Sequence, residues 1–139
     1  MSTVNGFTPR TKKVNLYSDF YKDMRVSPIS KDLALVKDED AVKQSIRNLM
    51  LTDPGERLMQ PNIGGGIREL LFEQMTPGTL KLMEENIVDT IEIYEPRAQL
   101  IDVRVIAGLD DTHVNITVLF SVRNEEQPIQ LDVILDRTR

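Results

Sequence analysis

The sequence predicts an α+β fold: an antiparallel sheet of three to four strands with two main helices packed on one face. Three observations carry that prediction. Residues 76–97 show apolar positions at helical spacing over a single long run. After Pro96 the period switches from 3.6 to 2 and holds over three successive segments. The connections between those segments are too short for the crossover that parallel strands need, so they must form an antiparallel meander. Helices then cover the sheet's apolar face.

Taken in order, residues 1–15 read as a flexible, polar N-terminal arm, with Arg10, Lys12 and Lys13 as a solvated basic cluster. Residues 16–139 read as one domain, the size expected for a chain of 139 residues. Segment 16–31 holds Tyr17, Phe20 and Tyr21 and packs as an irregular arm on the body. The apolar run 33–36 predicts a short strand. Residues 38–52 predict a helix, capped by Asp38 or Asp40 at its positive end, with Val42, Ile46, Leu49 and Met50 buried. Asp53-Pro54-Gly55 breaks it in a tight turn. The loop that follows ends in Gly64-Gly65-Gly66, which permits positive φ and close backbone approach. Residues 67–72 predict a short helix burying Ile67, Leu70 and either Leu71 or Phe72.

The long helix opens at Thr76, whose hydroxyl can accept a free backbone N–H, with Pro77 at the first helical position. Leu80, Met83, Ile87, Val88, Ile91 and Tyr94 form its apolar face; Glu84, Glu85, Asp89 and Glu92 take the wet side. Pro96 stops it by forcing Glu95 out of the helical region. Ile101, Val103 and Val105 alternate inward in the first long strand. Val114, Ile116, Val118, Phe120 and Val122 do so in the second, and Ile129, Leu131, Val133 and Leu135 in the third. Turns are expected at 108–112 and 124–128.

Composition narrows the function. A net charge of −5 argues against a general nucleic-acid binder. No run of 18 apolar residues predicts a membrane span, and the N-terminus lacks the apolar core of a secretory signal. With no cysteine and His113 as the single histidine, neither a metal site nor a cofactor is expected. The glycine run lacks the Lys-Ser/Thr of a phosphate loop, and no serine sits in a nucleophile-elbow context. Asn115-Ile116-Thr117 matches a glycosylation acceptor, without a signal peptide to give it meaning. Glu56, Glu69, Glu73 and Glu95 could supply the two carboxylates of a glycosidase, provided they lie at the right separation with different pKa values.

Two charged spots stand apart from an ordinary solvated surface. Glu56 and Arg57 follow the Pro-Gly turn; Glu95 and Arg97 flank Pro96 where helix gives way to strand. A carboxylate and a guanidinium at such junctions either tie elements together by paired hydrogen bonds or present their charge to a partner chain. Periodicity does not separate the two.

The residues Leu51, Thr52, Pro54-Gly55-Glu56-Arg57, Met59, Pro61, Gly64, Leu71-Phe72-Glu73 and Thr76-Pro77, followed by Tyr94-Glu95-Pro96-Arg97, form a recognisable combination. It resembles the small baseplate wedge proteins of T4-type contractile-tailed phages, a family shared with the type VI secretion baseplate. The resemblance spans roughly residues 15–136, and the glycine run is richer than the family's usual pattern. It implies a fold similar to the strand-exchanging domain of tail sheath subunits. It further implies a structural virion protein with no enzymatic role, placed in the tail baseplate after assembly in the host cytoplasm. Such a protein binds the wedge core proteins within a sixfold hetero-oligomeric baseplate. It nucleates the tail sheath by offering a sheet edge to sheath arms. Carried over by position, Glu95, Pro96 and Arg97 would make or support the wedge contact; Glu56 and Arg57 are partner-binding candidates from their place after the turn, not by carry-over. The resemblance implies neither a membrane nor a nucleic-acid partner. Charges at Asp136, Arg137 and Arg139 suit an edge that must avoid random pairing. The alternatives are a muralytic, lysozyme-like glycosidase acting on peptidoglycan, because some family members have carried that label, and an adaptor for a regulatory protein.

Overall fold

A computed structural model describes residues 16–109, 112–123 and 127–137 of the chain. The arm expected at 1–15 and parts of both strand-connecting turns lie outside the described residues, as does Arg139. The elements run β1 (Ser18–Phe20), β2 (Leu35–Lys37), α1 (Asp38–Leu51), α2 (Ile67–Leu71), α3 (Pro77–Tyr94), β3 (Ala98–Ala107), β4 (His113–Val122) and β5 (Ile129–Asp136). The last three form an antiparallel sheet in the order β3-β4-β5. The expected α+β architecture is therefore present, with three strands in the main sheet and a separate antiparallel pair, β1 with β2.

The strand expected at 33–36 sits later, at Leu35–Lys37, and Leu33 instead makes an isolated bridge with Val26. Strand β2 runs straight into α1, which explains a second difference. Asp38 does not cap the helix. Its backbone lies at φ +48°, a conformation aspartate tolerates better than most residues. Its Oδ1 turns back to accept the N–H groups of Leu16 at 2.8 Å and Tyr17 at 3.3 Å. The carboxylate thus ties the incoming chain to the start of α1, while Glu39 and Asp40 still favour the helix's positive end.

Helix α1 buries Ala41, Val42, Ile46, Leu49 and Met50. The Asp53-Pro54-Gly55 turn closes as expected, with the Glu56 N–H donating to the Asp53 carbonyl at 3.1 Å and Gly55 at φ +87°. Gly64 has a stricter role. At φ +133° its α-carbon faces the turn so closely that an added Cβ would fall 2.4 Å from the Thr52 carbonyl oxygen. The glycine-rich loop folds back on the end of α1, and only glycine allows that approach. In α2, Leu71 is the residue buried, and Phe72 is exposed.

Thr76 caps α3 by accepting the Thr79 N–H at 3.2 Å, with Pro77 at the first position. Met83, Ile87 and Ile91 are fully buried, while Leu80, Val88 and Tyr94 are half-buried. Thr90 joins the core because its hydroxyl donates to the Asn86 carbonyl at 2.6 Å and so enters with a partner. On the wet side, Glu84 reaches across to accept the Val105 backbone N–H at 3.2 Å. Helices α1 and α3 cover the sheet face built from the alternating apolar residues of all three strands, among which Phe120 is the largest fully buried side chain. Ile101 departs from the expected alternation and is 54% exposed. A bulge between Leu100 and Asp102 adds one residue to β3 there and turns Ile101 outward.

Candidate partner-binding corner

The corner is built where α3 ends. Glu95 is the C-cap residue, out of helical conformation because proline follows it. Its carbonyl accepts the Ala98 N–H at 3.1 Å, closing a turn with Pro96 and Arg97 at the two central positions. The Arg97 carbonyl then accepts the Arg123 N–H at 3.0 Å, which fixes the start of β3 against the end of β4. Two side chains two residues apart are thereby held on one side of the junction.

Arg97 grips Glu95 through a two-pronged fork, Nε to Oε1 at 2.6 Å and Nη2 to Oε2 at 2.8 Å. The Glu95 side chain is only 2% exposed, whereas that of Arg97 is 28% exposed. Burial by itself would push the Glu95 carboxyl up. The Arg97 hydrogen bonds, another from Ser45 and the guanidinium charge outweigh burial and hold it below its ordinary value. Arg97 is raised in turn, first by its hydrogen bond to Glu95. The guanidinium also lies over the Tyr17 ring, 5.8 Å from its centre. Residues from the lead segment, α1 and the α3–β3 junction converge on one ion pair, Ser45 on its carboxylate and Tyr17 on its guanidinium.

This geometry separates the roles of the expected residues. Glu95 is spent inside the chain and presents no surface. Pro96 is exposed, and the Arg97 Nη1 group makes no hydrogen bond among the described residues. Glu56 and Arg57 do not form a matching pair. Glu56 accepts the Asp53 N–H at 3.1 Å within its own turn, and Arg57 is exposed with no side-chain partner among the described residues. The two charged spots are linked indirectly, because the Tyr94 hydroxyl donates to the Asn62 carbonyl at 2.8 Å and holds loop 55–63 beside the end of α3.

Next to Arg57 the loop presents Leu58 and Met59, 98% and 95% exposed. Two large apolar residues between a Pro-Gly turn and Pro61, outside any periodic pattern, are a sign of a contact surface. Ser45 and Tyr17 carry no such sign, since only the fold brings Ser45 to Glu95 and Tyr17 to Arg97. The carboxylates considered for glycosidase chemistry are dispersed: Glu69 lines a groove with Asn86 and Asp89, and Glu56, Glu73 and Glu95 lie outside it. Among the described residues no cluster of three His, Asp or Glu side chains converges as metal ligands would. Among the described residues, too, no helix is long and apolar enough to cross a membrane.

Comparison with known proteins adds to this geometry. A family model described as baseplate wedge protein gp25 matches residues 36–127. The chain is 32% identical over 115 residues to baseplate wedge protein gp25 of Enterobacteria phage T4, covering 83% of this chain and 86% of that protein. Among solved structures, a Geobacter sulfurreducens protein provisionally named a tail lysozyme superposes with TM-score 0.69 at 26% identity, over 76% of this chain and 96% of its own. A chain in the baseplate of the anti-feeding prophage superposes with TM-score 0.61 at 26% identity, over 88% of this chain and 87% of its own. A chain of the type VI secretion baseplate complex shares the fold, with TM-score 0.57 at 15% identity over 70% of this chain and 92% of its own.

Proposed function

Because the chain belongs to the baseplate wedge protein gp25 family, structural components of the contractile-tail baseplate in the virion, we propose that it docks on the core bundle of the wedge through the Pro96-Arg97 corner and loop 55–63. From there it seeds tail-sheath assembly by lending an open sheet edge to sheath arms. Residues 16–139 serve as one wedge domain in this reading, related to the strand-exchanging domain of the sheath itself. Six copies join the baseplate during assembly in the host cytoplasm. The observation that carries the proposal is the Glu95–Arg97 fork: a buried carboxylate fixes a guanidinium that is itself partly exposed. A preorganised arginine loses little freedom on binding, which favours its use as a contact. Glu95 is then a positioning residue, and Arg57, Leu58 and Met59 form the second half of the surface.

An assembly assay tests this. Purified chain, wild type or Arg97→Lys, is mixed with wedge core proteins and then with sheath subunits, and the products are imaged. Lysine keeps a charge but cannot form the two-pronged fork. The expected result is sheath on wedges for wild type and poor wedge incorporation for the variant. Equal incorporation of both would leave the fork a purely internal tie.

The likeness to the Geobacter sulfurreducens protein favours a second reading, cleavage of peptidoglycan. A general acid needs a raised carboxyl pKa, whereas Glu95, the one buried carboxyl among the described residues, is lowered and committed to Arg97. We therefore place the chain outside enzyme catalysis, with no cofactor. Clearing of a peptidoglycan suspension by wild type, lost in any one of Glu56→Gln, Glu69→Gln, Glu73→Gln or Glu95→Gln, would reverse that conclusion.

A further inference from the structure

The segment between β1 and β2 folds into a lobe of its own. The Ser27 N–H donates to the Asp32 carbonyl at 2.8 Å and the Ala34 N–H to the Arg25 carbonyl at 2.9 Å, around the bridge of Val26 with Leu33. Met24 at φ +50° and Lys31 at φ +55° hold left-handed backbone that residues with long side chains seldom adopt. Strain of that kind persists where the surroundings impose one shape. The lobe leans on α1, where the Gln44 side chain donates to the Phe20 carbonyl at 2.7 Å. Its residues precede position 36, where the match to the family model begins.

The lobe contains a groove of about 490 Å³. Val26, Leu33 and Leu35 give it apolar walls, and all three are exposed. Its charges are Arg25 and Lys37, and no carboxylate lines it. Arg25 is held over the Tyr21 ring, 3.5 Å from its centre, while Asp23, 4.0 Å from the Arg25 Nε, stays outside the groove. Phe20, Met24 and Ile29 extend the exposed apolar surface of the same lobe. So much uncovered apolar surface in one short segment, beside two bases, suits an acidic amphipathic helix.

Helix α3 carries the opposite surface. Leu82, Glu85, Asp89 and Glu92 follow at i, i+3, i+7 and i+10, and all four are exposed. None of the three carboxylates makes an ion pair among the described residues. Acids at this spacing repel one another along a helix, and a cation brought by another chain relieves that repulsion. No α3 residue lines the groove of its own chain, so the two surfaces meet across copies.

We propose that α3 of one copy lies in the lobe groove of the next, Leu82 against Val26, Leu33 and Leu35, with the Glu85 and Asp89 carboxylates toward Arg25 and Lys37. Different patches meet, so the contact is head-to-tail: it closes as a ring or runs on. The inference goes beyond the wedge-docking reading and does not rest on it, because one chain carries both halves of the contact.

Sedimentation equilibrium of the full chain over a concentration series at low salt reads this directly. The expected result is reversible association that weakens as salt rises. Glu85→Lys with Asp89→Lys, at exposed positions, should weaken it about tenfold, and so should Arg25→Glu with Lys37→Glu. Mixed in equal amounts, the two reversed proteins should associate again, since each then offers the charge the other needs. If melting shows the groove variant unfolded, disulfide trapping takes its place. The chain has no cysteine, so Leu33→Cys and Leu82→Cys should cross-link on oxidation when mixed, and far less when each is alone. Association left unchanged by both reversals would overturn the proposal. A wild type that stays monomeric, with no cross-link in the mixture, would overturn it too. Binding of wedge core or sheath proteins lost in the groove variant, with wild type monomeric, would give the groove to that protein instead of a second copy. Wedge proteins are absent from the self-association assay, so its failure leaves the docking reading untouched.

Discussion

Arg97 holds Glu95 across one intervening proline by two hydrogen bonds of 2.6 and 2.8 Å, and the carboxylate so held is almost wholly shut off from water. The pair acts as a unit. Removing the guanidinium alone strands a buried charge, whereas replacing both partners by apolar residues of similar size removes the charge as well. We predict that Arg97→Ala destabilises the chain by about 3 kcal/mol. Glu95→Leu with Arg97→Leu should cost less than the single change. Urea unfolding of the three proteins checks the order, and a double variant worse than the single one would show that the pair is not coupled as described.

The same carboxylate sets part of the acid limit. Its folded pKa lies below the ordinary value of 4.5, so the proton binds the unfolded chain more tightly. Its contribution to stability is complete above that ordinary value, fades as pH falls below it, and is gone once pH has dropped through the lowered folded value. Glu95→Gln should therefore be less stable than wild type at neutral pH and lose less stability on acidification. Thermal melts across the acidic range measure the convergence of the two curves.

Gly64 and Gly55 offer a controlled comparison. Both have positive φ, but a Cβ at Gly64 would strike the Thr52 carbonyl at 2.4 Å, while at Gly55 nothing lies within 4 Å. Gly55→Ala should cost about 1 kcal/mol from backbone strain alone. Gly64→Ala should cost at least twice that, on the order of 3 kcal/mol, because the loop must also move off the end of α1. Melting temperatures of the two variants decide whether the close approach matters beyond φ.

Leu58 and Met59 test surface against stability. They are almost fully exposed, so Leu58→Asp with Met59→Asp should shift stability by no more than about 0.5 kcal/mol. Incorporation into wedges should fall sharply, as seen by co-sedimentation with the core proteins. Normal incorporation would remove loop 55–63 from the docking surface.

How far the sequence foretold this arrangement depends on the range of the forces involved. Helix α3 and strands β4 and β5 were legible because capping, proline placement and periodicity act over a few residues and agree with one another. Ile101 defeated the alternation because a bulge is a bargain struck between two strands, invisible in either alone. Asp38 looked like a cap because aspartate before an apolar-periodic run usually is one; a neighbouring chain segment captured its carboxylate instead. At the corner, Glu95 and Arg97 could be read either as an internal tie or as a contact. The fold assigns the first role to Glu95 and leaves the second open to Arg97. Ser45 and Tyr17 could not have been named, since their part depends on α1 and the lead segment meeting a junction some fifty to eighty residues away.

The Tyr94 hydroxyl on the Asn62 carbonyl has a metric consequence. Tyrosine is a stiff spacer, and this one is joined by a peptide bond to the residue that anchors Arg97. The Tyr94 ring therefore helps to set the distance between loop 55–63 and the Pro96 turn. A partner that touches both must be cut to that span, so a protein able to fit either element alone would still be turned away. Replacing the hydroxyl by hydrogen in Tyr94→Phe would leave each element intact and loosen the gauge between them.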